Sequence, residues 1–206
     1  MNKVSSKVQW LFMLIWHLQP MKHFPAGLTG VFLLVAAVVS AAATGRTLDI
    51  DPSLSRVDIV VQATVDSFTG HLQHLAPRIT LDDTGAIASV LVPFHFRDVA
   101  TGKAKRDAAM LEWQQTDKFP DGEFVLSSLI PLRPGRFTAQ GRLTFHGLTR
   151  DLNFPVAVTT DHALYAIDGD AIIDTREFGL PIVRVFGLLK VDPLVKVSFH
   201  LQGRAP

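Results

Sequence analysis

Few residues in this chain have the types and spacing that chemistry needs. His71 and His74 lie three apart in Gly-His-Leu-Gln-His-Leu, the pattern of half a metal site. Zinc asks for three or four ligands converging at roughly 2.0–2.3 Å, often with a thiolate or carboxylate among them. The chain has no cysteine, and residues i and i+3 of a strand face opposite sides. Solvated surface histidines are the expectation, and no metal site is assigned. His146, in Phe-His-Gly-Leu-Thr, and His95 are the candidate general bases. A base needs a nucleophile within hydrogen-bond reach, and no serine stands in a Gly-x-Ser-x-Gly elbow. His146 is expected to bond the backbone of a turn, with Gly147 taking the awkward dihedral. Arg106-Asp107 reads either as a charged pair at a cavity mouth or as a structural pair, the acid complementing a helix N-terminus. The structural role is favoured. No catalytic residue is assigned, and no cofactor is called for.

The elements that position these residues are mostly strands. In Val57 to Val65 the odd positions are apolar and the even ones mostly polar, which gives a strand one greasy face. Ala88, Val90, Val92, Phe94 and Phe96 share a face in the same way. So do Phe137, Ala139, Gly141, Leu143 and Phe145, then Leu152, Phe154, Val156 and Val158, and last Val195, Val197, Phe199 and Leu201. Asp83-Thr84-Gly85 and Arg133-Pro134-Gly135 carry hairpin chemistry, and Asp121-Gly122 and Asp168-Gly169 read as similar turns. Arg106 to Gln115 is the one stretch of helical character. The sum is an all-β fold: about eight antiparallel strands closed into a barrel, with one short helical insertion. Closure removes exposed edges, and eight strands leave room for packed side chains or one slim ligand.

The first 43 residues contain no acidic residue and include Lys3, Lys7 and Lys22. Leu28 to Ala43 is an apolar run ending Ala-Ala-Ala. A positive start, an apolar stretch and small residues at −3 and −1 describe a secretory signal peptide, with cleavage expected after Ala43. The run is short of the ~20 residues that span a bilayer. An earlier apolar run, Val8 to Leu18, precedes Met21. Either residues 1–20 are an artefact of start-site choice or the leader is unusually long. Both readings give a mature domain over 44–206 outside the cytoplasm, in the periplasm. The formal charge of +1 becomes −2 once the three leader lysines are gone. Nucleic acid, which requires a clustered positive face, is not an expected partner. The mature segment is long enough for one domain with a sizeable core. Without cysteine there is no disulfide, thiol chemistry or lipidated N-terminal Cys.

Several motifs recur in order. Leu48-Asp49-Ile50-Asp51-Pro52 opens the domain and Ser67-Phe68-Thr69-Gly70 follows. Arg106-Asp107 with Met110-Leu111 precedes Lys118-Phe119-Pro120 and Glu123-Phe124. Then come Gly141-Arg142-Leu143-Thr144-Phe145-His146-Gly147-Leu148-Thr149 and Arg176-Glu177-Phe178-Gly179-Leu180. Together, over about Leu48 to Gly203, they resemble the YceI-like family of small secreted, lipocalin-like β-barrels. The His-Ser pair that many members carry after the opening strand, and a later His, are absent: those regions read Ser53-Leu54-Ser55 and Gln62-Ala63-Thr64.

The resemblance implies a barrel that encloses an apolar cavity and carries a long isoprenoid chain. The partner it implies is a polyprenyl phosphate, polyprenol or isoprenoid quinone, bound without catalysis for transport, storage or stress protection. Transient membrane contact and a homodimer are compatible with it. The phenylalanines fit this reading, because apolar burial stabilises by roughly 25 cal/mol per Å² and ligand sites are mostly apolar. The expected liners are Phe94, Phe96, Phe119, Phe124, Phe137, Leu143, Phe145 and Phe154, with Met110, Leu111 and Trp113 closing one end as a lid. Two rival readings stand beside it. One is an interaction module with a filled core; the other is an enzyme acting on an amphiphile through His146 or His95.

Overall fold

The structure, a computed structural model, describes residues 45–64, 66–185 and 189–206. The expected leader lies outside them. In chain order the strands are β1 (Arg46–Thr47), β2 (Asp49–Ile50), β3 (Arg56–Ala63), β4 (Phe68–Leu72), β5 (Arg78–Leu81), β6 (Ile87–His95) and β7 (Val99–Ala100). After the helix α1 (Ala104–Trp113) come β8 (Asp121–Arg133), β9 (Arg136–Phe145), β10 (Leu148–Asp161), β11 (Leu164–Asp174), β12 (Arg184–Val185) and β13 (Leu189–Arg204). All the strand pairings are antiparallel.

Period-two sequence becomes a closed wall because the first few ordered residues stitch two edges together. β1 pairs with β5 (Arg46↔Leu81) and β2 with β13 (Ile50↔Gly203). Between and beyond them Leu48 N–H donates to Ile79 O at 2.8 Å and Asp51 N–H to Gln202 O at 2.9 Å. The circuit at this end runs β1/β2, β5, β6, β8, β9, β10, β11 and β13. At the other end β13 pairs with β3, β3 with β4, and β4 with β7, which continues β6 through a 3-10 turn (Phe96–Asp98). Either circuit crosses eight strands. The sheet has more segments than the expected eight because turns and bulges interrupt strands that the alternation shows as continuous.

One interruption corrects a face. Thr80 pairs with Ser89, but Leu81 pairs with Ile87, so Ala88 is an extra residue in β6. A bulge flips the side chains beyond it. Ile87 therefore joins Val90, Val92 and Phe94 on the inner face, and Ala88 is exposed. Two expected turns are also corrected. Gly122 and Gly169 lie within β8 and β11, not in turns, because each is a flat spot that a phenylalanine covers. A Cβ on Gly122 would fall 2.3 Å from Phe94 Cζ. The helix expected over Arg106 to Gln115 forms two residues earlier.

Elsewhere the turn chemistry holds. Asp82 accepts from Thr84 N–H and Oγ1 and from Ala86 N–H, and Gly85 takes φ +84°. His146 (φ 49°) and Gly147 (φ 71°) form the two-residue, left-handed connection that suits a twisted hairpin.

Two apolar clusters occupy the barrel. Leu48, Ile79, Leu81, Tyr165, Ile167 and Leu201 belong to the cluster at the β1 end. Leu143, Phe145, Phe178 and Leu180 form the other, with Phe94, Phe96 and Trp113 packed against them. Phe145 stacks on Phe96 (centroids 4.8 Å apart) and tilts against Phe178 (5.1 Å).

Candidate functional site

Between these clusters the barrel is hollow. The cavity has a volume of about 260 Å³, and residues of nearly every strand line it. β3 contributes Val57, Ile59 and Val61; β10 contributes Leu152, Phe154, Val156 and Val158; β13 contributes Val195, Val197, Phe199 and Leu201. These sets show why the sequence builds a tube. Every second residue of a strand faces in, and here every second residue is branched-chain or aromatic. Six residues separate Leu152 from Val158 and Val195 from Leu201, so the lining runs ~20 Å along each strand. Among the described residues of the lining, Thr175 carries the one hydroxyl. Its Oγ1 donates to Pro193 O at 3.1 Å, so the barrel's own backbone satisfies even this hydroxyl.

Eight of the eleven expected site residues stand on this wall: Phe94, Phe96, Met110, Trp113, Phe124, Leu143, Phe145 and Phe154. Three do not. Phe119 packs outside, its ring 4.3 Å from that of His146 and its Cε1 2.7 Å from a Cβ placed on Gly147. It braces the β9–β10 turn. Phe137 has the inward parity of Ala139 but lies one pair beyond it, next to the irregularity between Pro131 and Arg133. It packs on the edge of the core and borders a polar depression on the outer surface. Leu111 follows Met110 by one residue, about 100° around the helix, and so turns away from the face that carries Met110 and Trp113.

Sequence reasoning built on the phenylalanines missed most of the aliphatic wall, including Leu126, Leu129, Ile167, Ala171 and Ile173. The signal was present as the same alternation in Tyr165 to Ile173.

α1 lies over the cavity with no buried residue of its own. Contacts at its two ends hold it. Trp113 Nε1 donates to Pro181 O at 2.9 Å. At the N-terminal end Arg106 Nη2 donates to Asp66 Oδ2 at 2.8 Å, and Lys103 Nζ reaches the same oxygen at 3.3 Å. Asp107 serves as expected of a first-turn acid. Its Oδ1 accepts from Thr101 N–H (3.0 Å) and Oγ1 (2.5 Å).

The histidines lie away from the cavity wall. His71 pairs with Asp58 at 2.8 Å and His74 with Asp98 at 3.0 Å, on separate partners. His95 pairs with Asp121 at 2.5 Å. His146 Nδ1 donates to Phe178 O at 2.9 Å, tying the β9–β10 turn to the 3-10 turn Thr175–Phe178. Neither His95 nor His146 has a serine or threonine hydroxyl as a hydrogen-bond partner among the described residues. The site therefore has shape and apolar surface, and the hydrogen bonds around it hold the lid and turns, while the buried Gln114 amide and His146 Nε2 find no partner among the described residues.

The model of the YceI-like domain matches residues 48–203. Among solved structures the chain is similar to BcnA of Burkholderia cenocepacia (20% identity, TM-score 0.66, covering 75% of this chain and 99% of that one). It is similar to a polyisoprenoid binding domain from Saccharophagus degradans implicated in plant cell wall breakdown (14%, TM-score 0.59, 78% and 99%). It is also similar to the YCEI protein of Campylobacter jejuni (13%, TM-score 0.60, 68% and 86%). At these identities the likeness is one of fold. No curated protein matches the chain.

Proposed function

The chain belongs to the YceI-like domain family, and on that premise we propose that its barrel binds, without catalysis, the hydrocarbon tail of a long-chain isoprenoid lipid, a polyprenyl or isoprenoid quinone compound. The observation that carries this reading is the lining: a hollow with apolar walls for ~20 Å along the strands and a single, internally satisfied hydroxyl. A chain leaving water for such a space gains about 0.8 kcal/mol per buried methylene. Among the described residues the wall carries no acid or base beside that one hydroxyl. A structural neighbour described as a polyisoprenoid binding domain supports the choice of tail.

The signal-peptide reading of residues 1–43 supports a periplasmic location for this carrier, where it would sequester or transport the lipid. Since such lipids reside in bilayers, loading requires transient contact with a membrane.

The test is extraction of the full chain, purified from its native host, into organic solvent, with mass spectrometry of the extract. An isoprenoid in stoichiometric amount is expected. Protein that comes away empty and takes up no added polyprenol contradicts the proposal.

A further inference from the structure

The lid carries an unbalanced charge. Lys103 and Arg106 converge on one oxygen of one carboxylate, Asp66 Oδ2. Lys105 lies exposed between them. The nearest other acid on the helix, Asp107, is engaged by Thr101. With Asp107 counted, the three cations Lys103, Lys105 and Arg106 outnumber the two nearby carboxylates Asp66 and Asp107 by one, at a helix N-terminus that itself favours anions. A domain of net negative formal charge has no need of this cluster for solubility.

The cluster sits at the rim of the cavity. Arg106 is one turn before Met110, on the same face of α1, and Met110 lines the cavity. The Arg106 guanidinium lies 4.2 Å above the Phe68 ring. Phe68 is the cross-strand partner of Val61, another liner. The Arg106 side chain is only 20% exposed, whereas that of Asp66 is 63% exposed. The cation is thus held in place against the rim while its counter-ion stands in solvent.

We infer that Lys103 and Arg106 form a head-group site for an anionic, phosphate-bearing amphiphile, whose phosphate replaces Asp66 while its tail enters the cavity past Met110. This inference rests on the tail-binding reading above and deepens it from any isoprenoid to a phosphorylated one. A phosphate offers several acceptor oxygens to a guanidinium fork and an ammonium, where Asp66 offers one. The exchange is cheap, because exposed ion pairs contribute little.

Titration calorimetry of the full chain with farnesyl phosphate, farnesol and inorganic phosphate tests it. Farnesyl phosphate is expected to bind about tenfold or more tightly than farnesol, from charge-assisted hydrogen bonds. That ratio should fall toward one in the Lys103→Gln/Arg106→Gln variant, rise in Asp66→Asn, and stay unchanged in Lys105→Gln. Asp66→Asn keeps both cations, so it reports even if the double variant loosens the helix. Equal affinity for the two isoprenoids, or a ratio that drops in Asp66→Asn, overturns the head-group site and leaves tail binding standing. Inorganic phosphate binding as tightly as farnesyl phosphate overturns the assignment to a lipid head. Failure of both isoprenoids to bind removes the cavity reading, and the head site with it.

Discussion

Phe199 lies flat across Gly169, its cross-strand partner on β11. A Cβ on Gly169 would fall 2.4 Å from Phe199 Cζ and 3.1 Å from the Pro155 carbonyl oxygen. Gly141 beneath Phe124 and Gly122 beneath Phe94 repeat the arrangement. Glycine within a strand marks a close approach. Here the approach lets a large ring lie along the wall instead of standing in the lumen, so the barrel is aromatic and hollow at once.

Gly169→Ala must therefore lift Phe199 inward. Overpacking of this kind typically costs about 1–3 kcal/mol. Urea denaturation should show that loss, and less isoprenoid should be retained. Shortening the ring should relieve part of it: Phe199→Leu and Gly169→Ala are expected to be non-additive by ~1 kcal/mol in a double-mutant cycle. Simple additivity would mean that the ring and the glycine do not compete for one space.

Wall and off-wall phenylalanines should separate. Phe145 is 7% exposed, stacked on Phe96 and tilted against Phe178, so Phe145→Ala should destabilise by about 3–5 kcal/mol. Phe137→Ala, at the half-buried start of β9, should cost less and leave lipid retention close to wild type. Retention is read by extraction and mass spectrometry, stability by denaturant titration. A Phe137→Ala variant that loses its lipid would put that ring back on the cavity.

The lid makes a kinetic prediction. Trp113→Phe keeps a ring on the wall but removes the donor to Pro181 O. One net hydrogen bond is worth about 0.5–1.5 kcal/mol, so dissociation of a bound isoprenoid should speed up roughly two- to tenfold. Stopped-flow transfer to acceptor vesicles measures it. An unchanged rate would show that the lid does not limit release.

Acid should weaken the fold through particular carboxylates. The Arg176 guanidinium beside Asp174 holds that carboxyl below its ordinary value, and the Thr84 hydroxyl does the same for Asp82. Ser198 with Lys196 lowers Asp170, and Ser53 lowers Asp51. A lowered folded value means the stabilisation is present above the unfolded carboxylate value, about pH 4, and is lost as pH falls through the folded one. Asp82→Asn and Asp174→Asn should each lower stability at pH 7 and flatten its decline below pH ~4. Denaturant titrations from pH 7 to pH 2 check this. A decline as steep as wild type would assign the acid limb to other groups.

Much of the wall was legible because alternation encodes facing directly. Val57, Ile59 and Val61, the run from Leu152 to Val158, and the run from Val195 to Leu201 all face the lumen as read. What alternation lacks is any mark of where a cavity ends or a bulge intervenes. Phe137 has the right parity in the wrong layer. Ala88 has the right parity but is itself the inserted residue. Gly122 and Gly169 read as turns because Asp-Gly has the same letters whether glycine supplies a positive φ or a missing Cβ. The lid charges were harder still. Arg106 was visible, but its partner Asp66 lies 40 residues away, and nothing local joins them.

The central claim is that the lumen lined by Phe154 and Phe199 holds a hydrocarbon chain. The most direct measurement is a crystal structure of the protein purified from its native source without added lipid. The account predicts continuous elongated electron density along the wall from Leu201 toward Met110. A lumen closed by the protein's own side chains, with Phe94, Phe124 and Phe199 turned inward off their glycines, would contradict it.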